Sequence, residues 1–412
     1  MNPTQVSVIG LGYIGLPTAA VIASRGIKVC GVDVSRETIE TINKGEIHIV
    51  EPDLDIVVRG AVMTETLRAS LTAEPSDVFI VAVPTPFTED HQPDLSYIES
   101  AARGFASVLK KGDLVILEST SPVGATEKLC QWLADARPDL KLPHAHESDA
   151  DIAVAHCPER VLPGYVLQEL VANDRIIGGI TPRCAERARD LYKIFVKGEC
   201  LLTTARTAEM AKLTENAFRD VNIAFANELS LICDDSGIDV WELIRLANLH
   251  PRVNILNPGP GVGGHCIAVD PWFIVSSNPE KARLIQTARE VNDSKPIHVV
   301  EKVAAAADQF KEPVIACLGL AFKADIDDLR ESPAMEICRE LARRDSGRVL
   351  AVEPNISALP EAYSAAEFEL TSLDDALKRA NVVVILVDHA EFRALDRSRL
   401  DQMVTVDTRG IL

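Results

Sequence analysis

Val6-Ser7-Val8-Ile9-Gly10-Leu11-Gly12-Tyr13-Ile14-Gly15 is a short apolar run that breaks into a loop with three glycines. An Ala-rich helical stretch follows to about Arg25, and a second apolar run, Lys28 to Asp33, ends on an acid. Strand, glycine turn, helix and strand in that order make a βαβ unit. Gly10 permits the tight turn, Gly12 lets backbone approach a pyrophosphate, and Gly15 lets helix and strand pack closely. The helix N-terminus that follows attracts the phosphates. A carboxylate at Asp33 can accept the ribose hydroxyl protons and repels a 2′-phosphate, so the expected cofactor is NAD. Arg36 stands close enough to cover the adenine or to soften that preference toward NADP.

Outward from this unit, apolar strands recur at Asp77–Val83 and Asp113–Glu118, each stopping at a loop of small or turn residues: Pro84-Thr85-Pro86 and Ser119-Thr120-Ser121-Pro122-Val123-Gly124. Ligands of doubly wound sheets lie at such carboxyl ends. From about Thr204 to Ser236 the pattern is one long helix without Gly or Pro until Gly237. Past Pro313 the strand rhythm returns at Val314–Leu318, Arg348–Val352, Val382–Val387 and Val404–Val406. The expected fold is α/β, with two Rossmann-like doubly wound parallel-sheet domains joined by a long central helix. The expected division is 1–203, 204–312 and 313–412.

Length and composition agree. The 412 residues exceed one ordinary core, and 47% hydrophobic with 25% charged residues is a soluble globular composition. No apolar run reaches membrane-span length and no secretory signal opens the chain, so a cytoplasmic protein with no membrane partner is expected. A net charge of −19 without a basic stripe argues against nucleic acid. The nine cysteines are scattered with no C-x-x-C pair, which argues against zinc and disulfides. His144, His146 and His156 flank a surface-like acidic run, and no metal is expected.

The densest unusual stretch is Asn257-Pro258-Gly259-Pro260-Gly261-Val262-Gly263-Gly264-His265-Cys266, followed by Asp270-Pro271. Such a loop brings bare backbone close to a ligand and ends on one thiol, which a helix N-terminus would favour as thiolate. Asp270 is four residues on and shares a face with Cys266 if the segment is helical. Lys212, Asn216 and Arg219 share a face of the long helix. They are either a solvated face or, beside a thiol loop and a nicotinamide, a proton-transfer and oxyanion-holding set.

These motifs, with Cys157-Pro158-Glu159-Arg160 and Gly319-Leu320-Ala321-Phe322-Lys323, occur in order over nearly the whole chain. The sequence resembles the UDP-glucose/GDP-mannose dehydrogenase family. The stretches Cys157–Gly164 and His250–Leu256 look like those members that oxidise UDP-N-acetyl-D-mannosamine. The resemblance implies an NAD-dependent four-electron oxidation of a primary alcohol to a carboxylate, serving surface polysaccharide synthesis. UDP-N-acetylglucosamine, UDP-N-acetylgalactosamine or UDP-glucose is the alternative substrate.

It implies Cys266 as covalent nucleophile, Lys212 and Asn216 at the alkoxide, and Asp270 and Glu159 as bases through a water set by Thr120. Cofactor positions would be Tyr13, Ile14, Asp33, Thr85 and Thr126. Substrate positions would be Arg160, Val161, Arg219, His250, Arg252 and Gly263, with Phe322, Lys323 and Arg330 from the last domain. A homodimer through the central helix is implied, with Arg252 reaching into the partner's site. A non-catalytic nucleotide-binding protein and a two-electron hydroxy-acid dehydrogenase are the rivals. The first has no need of Cys266, Lys212, Asn216 and Asp270 all intact, and the second no use for a thiol near an aspartate.

Overall fold

The computed structural model describes residues 3–412 apart from Glu89, Pro163, His265, Asp345 and 364–367. His265 and Pro163, both within quoted motifs, therefore lie outside the described residues. The chain divides into two compact units, Met1–Thr214 and Glu215–Leu412.

The first unit is built on eight strands: β1 Gln5–Ile9, β2 Lys28–Val32, β3 Leu67–Ser70, β4 Val78–Val81, β5 Leu114–Leu117, β6 Ala153–His156, β7 Arg175–Gly179 and β8 Cys200–Thr204. Their order is β3-β2-β1-β4-β5-β6-β7-β8. Every residue of β4, β5 and β6 is buried, as in a sheet with helices on both faces. Two hydrophobic clusters fill those faces, one around Leu16, Ile22 and Leu191, the other around Phe79, Phe105 and Leu129. Neighbouring strands are parallel except β6 and β7, which pair antiparallel. Segment 157–174 therefore leaves and re-enters the sheet at one edge instead of crossing it. That keeps Glu159, Arg160 and Val161 on the carboxyl edge with the glycine loop, Thr85 and Thr120.

The second unit carries five parallel strands: β9 Val314–Leu318, β10 Arg348–Val352, β11 Glu369–Leu370, β12 Val382–Ile385 and β13 Val404–Asp407. Their order is β11-β10-β9-β12-β13, the same winding as the start of the first sheet. The long helix runs Ala205–Ser236, as the uninterrupted helical pattern predicts. Gly237 ends it at φ 66, where Ile238 N–H returns to the Cys233 carbonyl at 2.9 Å, a glycine C-terminal stop. Among the described residues no helix is long and apolar enough to cross a membrane.

Candidate functional site

In the first unit the glycine loop has the shape its sequence requires. Gly10 sits at φ 91, and a Cβ there would stand 2.6 Å from the Ala82 carbonyl oxygen. A Cβ on Gly15 would run into the Gly10 carbonyl oxygen. Gly12 is different: it is exposed, and a Cβ would meet nothing within 4 Å. The protein's own packing therefore does not require a glycine at this position. Asp33, just past β2, accepts the Leu11 N–H at 2.9 Å with one oxygen and the Ser35 N–H at 2.9 Å with the other. Thr85 Oγ1 is buried with no hydrogen-bond partner among the described residues. An open glycine, a fixed acid and an orphaned hydroxyl on one sheet edge fit a dinucleotide such as NAD. Tyr13 is exposed, Ile14 half-buried and Arg36 exposed.

Thr126 does not face outward. It is buried, and its hydroxyl and N–H both bond Glu209, at 2.6 and 2.8 Å. Glu209 also takes the Gly124 N–H at 2.6 Å, so this carboxylate caps the helix Ala125–Ala136. Sequence reasoning missed Glu209 because 83 residues separate it from Thr126.

Glu159 is buried and held from two sides. Arg175 Nη1 approaches it at 2.5 Å, and the Arg160 N–H donates to its other oxygen at 2.7 Å. Arg175 itself lies over the Tyr192 ring at 5.2 Å, a cation–π contact. The Tyr192 hydroxyl donates to Glu118 at 2.6 Å. Burial first, and then the Glu159 charge, push the Glu118 carboxyl up to about 7. Neither Arg175 nor Glu118 is visible from sequence; an arginine opening a strand and a glutamate ending one read as surface charges. The Cys157 thiol in this group is pushed up to about 12 by burial, which makes it an inert thiol. Thr120 is half-buried at the end of β5, and Arg160 reaches the Asp174 carbonyl at 2.7 Å. Lys212 is half-buried on the long helix, within this unit.

In the second unit Asn216, on the same helix, gives its side-chain amide to Asp270 Oδ2 at 2.5 Å, and both are buried. Asp270 opens the helix Asp270–Ser277. Its N–H bonds the Cys266 carbonyl at 2.9 Å, so Cys266 lies in the turn just ahead of that helix, not inside one. The Cys266 side chain is exposed, whereas seven of the other eight cysteines are buried. The loop's glycines are fixed by crowding: a Cβ on Gly264 would stand 2.8 Å from the Phe322 ring, and one on Gly263 would run into the Glu331 carbonyl. Phe322 thus packs on the loop that carries the thiol, while Lys323 beside it is exposed.

Arg330 is not an isolated cation. Asp328 grips it in a two-pronged ion pair at 2.8 and 2.6 Å, and Asp325 caps Ala390 N–H at 2.9 Å. Arg219 is exposed on the long helix; His250 and Arg252 are exposed on a turn that Asn248 closes through two bonds to Ile255. Among the described residues no cluster of three His, Cys, Asp or Glu is placed to hold a metal ion.

Comparison with known proteins extends over the whole chain. Residues 4–196 match the NAD binding domain of the UDP-glucose/GDP-mannose dehydrogenase family, 206–294 its central domain and 316–412 its UDP binding domain. The chain is 65% identical over 406 residues to an NDP-N-acetyl-D-galactosaminuronic acid dehydrogenase of Ralstonia nicotianae, covering 98% of this chain and 96% of that one. It is 61% identical over 419 residues to the UDP-N-acetyl-D-mannosamine dehydrogenase of Escherichia coli, covering all of both. A solved UDP-D-ManNAc dehydrogenase from Pyrococcus horikoshii superposes with TM-score 0.89 at 41% identity, over 99% of this chain and 96% of that one.

Proposed function

This chain belongs to the UDP-glucose/GDP-mannose dehydrogenase family and is an NAD-dependent UDP-sugar dehydrogenase, and we propose that its sugar is N-acetyl-D-mannosamine. The product is then UDP-N-acetyl-D-mannosaminuronate, made in the cytoplasm for surface polysaccharide synthesis. Residues 1–203 bind NAD, 204–312 carry the cysteine loop and the dimer helix, and 313–412 take the UDP end through Phe322, Lys323 and Arg330. The Asn216–Asp270 bond, one turn from an exposed Cys266, carries the mechanistic part of the reading.

When bound, NAD accepts one hydride in each of two oxidations. Lys212 accepts the alcohol proton as the first hydride leaves, and Asn216 steadies the alkoxide. One amide N–H of Asn216 is given to Asp270, and an amide has a second to give. The Cys266 thiolate adds to the aldehyde, and the thiohemiacetal becomes a thioester when the second hydride leaves. Water then attacks the thioester, passing its proton toward Asp270 or Glu159, and the acid departs as Cys266 recovers its thiol. Thr120 sets that water. Arg175 and the Arg160 N–H fix Glu159 so that its carboxylate is a stationary acceptor. Arg160, Val161, Arg219, His250, Arg252 and the Gly263 backbone line the substrate.

A homodimer is the working state. On the long helix Phe218, Phe225 and Ile232 fall seven residues apart and are 68%, 52% and 54% exposed, a heptad seam that a second copy would cover. Arg252 then reaches the partner's site.

Purified protein with NAD and a panel of UDP-sugars tests the reading through NADH formed per sugar consumed. Two NADH per UDP-N-acetyl-D-mannosamine, lost in Cys266→Ala, is expected; one NADH per sugar, or turnover without the thiol, would overturn the covalent route. A second reading, UDP-N-acetyl-D-galactosamine as substrate, is favoured by the 65% identical NDP-N-acetyl-D-galactosaminuronic acid dehydrogenase, and a tenfold higher kcat/KM for that sugar would replace the first.

A further inference from the structure

The helix Arg283–Ala307 in the second unit turns Lys295, His298 and Lys302 toward a cavity of about 180 Å³. Three carboxylates also line it, Asp234, Asp239 and Asp407, and each is already committed. Asp234 takes Lys302 Nζ at 2.8 Å with one oxygen and faces His298 Nε2 at 3.2 Å with the other. Asp239 caps the Trp241 N–H at 2.9 Å. Asp407 accepts the N–H groups of Arg409, Gly410 and Leu412 at 2.8, 2.8 and 2.9 Å.

Lys295 is the exception. It is 6% exposed, and its Nζ donates to Ser230 Oγ at 2.6 Å. Among the described residues no carboxylate lies within ion-pair distance of it. An ammonium has three protons to give, and burying it without a counter-charge is costly. That cost is met when a counter-ion enters from solution. The cavity is roomy enough, since one water needs only about 10–15 Å³ on the same measure. Its lining includes the apolar Trp241, Ile238 and Val299 and the cationic Lys295 and Lys302.

We propose that this cavity binds a small oxyanion, of phosphate or sulfate size, with Lys295 as its buried counter-charge and Lys302 and His298 beside it. The site is additional to those for NAD and UDP-sugar, and its existence does not depend on which sugar is oxidised. Burial holds the Lys295 amine down at about 8, Asp234 opposing and Lys302 adding to the shift. Oxyanion binding should therefore be full below pH 8 and weaken above it.

Equilibrium dialysis of the full-length protein against labelled sulfate, whose charge is constant over this range, tests the proposal with saturating UDP present to fill the nucleotide site. One sulfate per chain is expected at pH 7, with Kd about 1 mM, weakening roughly tenfold at pH 9 as the amine loses its proton. Lys295→Met should lose at least tenfold in affinity, and the exposed Lys302→Ala roughly threefold, by removal of one screened charge. Lys295→Met should also melt higher than the parent in sulfate-free buffer at pH 7, which checks that it folds and that the lone charge is a burden. No binding by the parent protein, or Lys295→Met and Lys302→Ala that both bind as the parent does, would overturn the proposal.

Discussion

The two sheets close their first strands in the same way and then part. In the first, Asp33 accepts the N–H of Leu11, next after Gly10, and of Ser35, two residues on. In the second, Glu353 accepts the N–H of Leu320, next after Gly319, at 2.8 Å and of Asn355, two residues on, at 3.1 Å. The difference lies in what surrounds that frame. Gly12 is open where the second sheet has Ala321, buried and bonded to Glu353 at 2.9 Å. His389 Nε2 adds a further contact to Glu353 at 3.0 Å. The first loop passes straight into the helix Gly15–Ala23, whereas the second wanders through residues 322–332, with Phe322, Lys323 and Arg330, before its helix Pro333–Arg343 begins. One winding thus has an edge left open for a dinucleotide, and the other has the same edge filled by its own side chains.

The largest break should come from Gly15→Ala. The new methyl meets backbone, which no rotamer change relieves, so the cost is at least ~3 kcal/mol. NAD affinity by calorimetry should fall more than about 100-fold, and exchange protection of β1 should fall with it. Gly319→Ala is the counterpart: φ is 99 and a Cβ would run into the Val387 side chain, for about 3 kcal/mol lost from the second unit. NAD affinity there should stay within about twofold. A loss of NAD binding equal to that of Gly15→Ala would show that the two loops are not separate devices.

The buried acids of the two units should respond to pH in opposite directions. Glu118 holds its proton up to about 7 when folded, against 4.5 for the unperturbed group. The folded state therefore binds the proton more tightly, and the first unit loses stability as pH rises from 4.5 through 7. Glu118→Gln imitates the protonated acid and should recover on the order of 3 kcal/mol at pH 8. Glu353 is the reverse. Burial works to raise its pKa, but bonds from His389, Leu320 and Ala321 outweigh it and leave the carboxyl below its usual value. Its contribution is complete above pH 4.5 and is lost as pH falls through the lowered pKa. Hydrogen exchange at β5 and β9 in the full chain, followed from pH 4 to 8, should show protection falling at the alkaline end in the first strand and at the acid end in the second.

What the sequence disclosed divides along a physical line. Local patterns were legible: the glycine loop with Asp33, the strands β9 and β10, and the long helix to within one residue at its start. Hidden were short strands whose apolar run is only two or three residues long, such as β8, with Cys200-Leu201-Leu202, and β7, with Ile176-Ile177 before two glycines. The antiparallel return at β6 and β7 has no local mark at all. In the candidate site, Cys266 and the glycine loop announced themselves by composition. The contacts that hold the buried acids of each unit did not, because Asn216 and Asp270 are 54 residues apart and Tyr192 and Glu118 are 74. Buried charges look like surface charges until their partners are known, which is why Arg175, Glu118, Glu209 and Lys295 escaped notice.

The smallest expected effect on stability gives the sharpest comparison. Gly12→Ala installs in the first sheet the residue that the second has at Ala321. Its methyl meets nothing within 4 Å, and Gly12 is absent from the positive-φ glycines, so the melting curve should shift by no more than ~0.5 kcal/mol. NAD should nonetheless bind about tenfold more weakly, since the methyl occupies the approach of the pyrophosphate. Unchanged stability with weakened NAD would mean that the glycine is kept for the ligand alone, and that one methyl accounts for part of why only one of the two windings takes a dinucleotide. Equal loss of both would mean that Gly12 is needed for the turn itself, and the openness of the first edge would then follow from folding instead of binding.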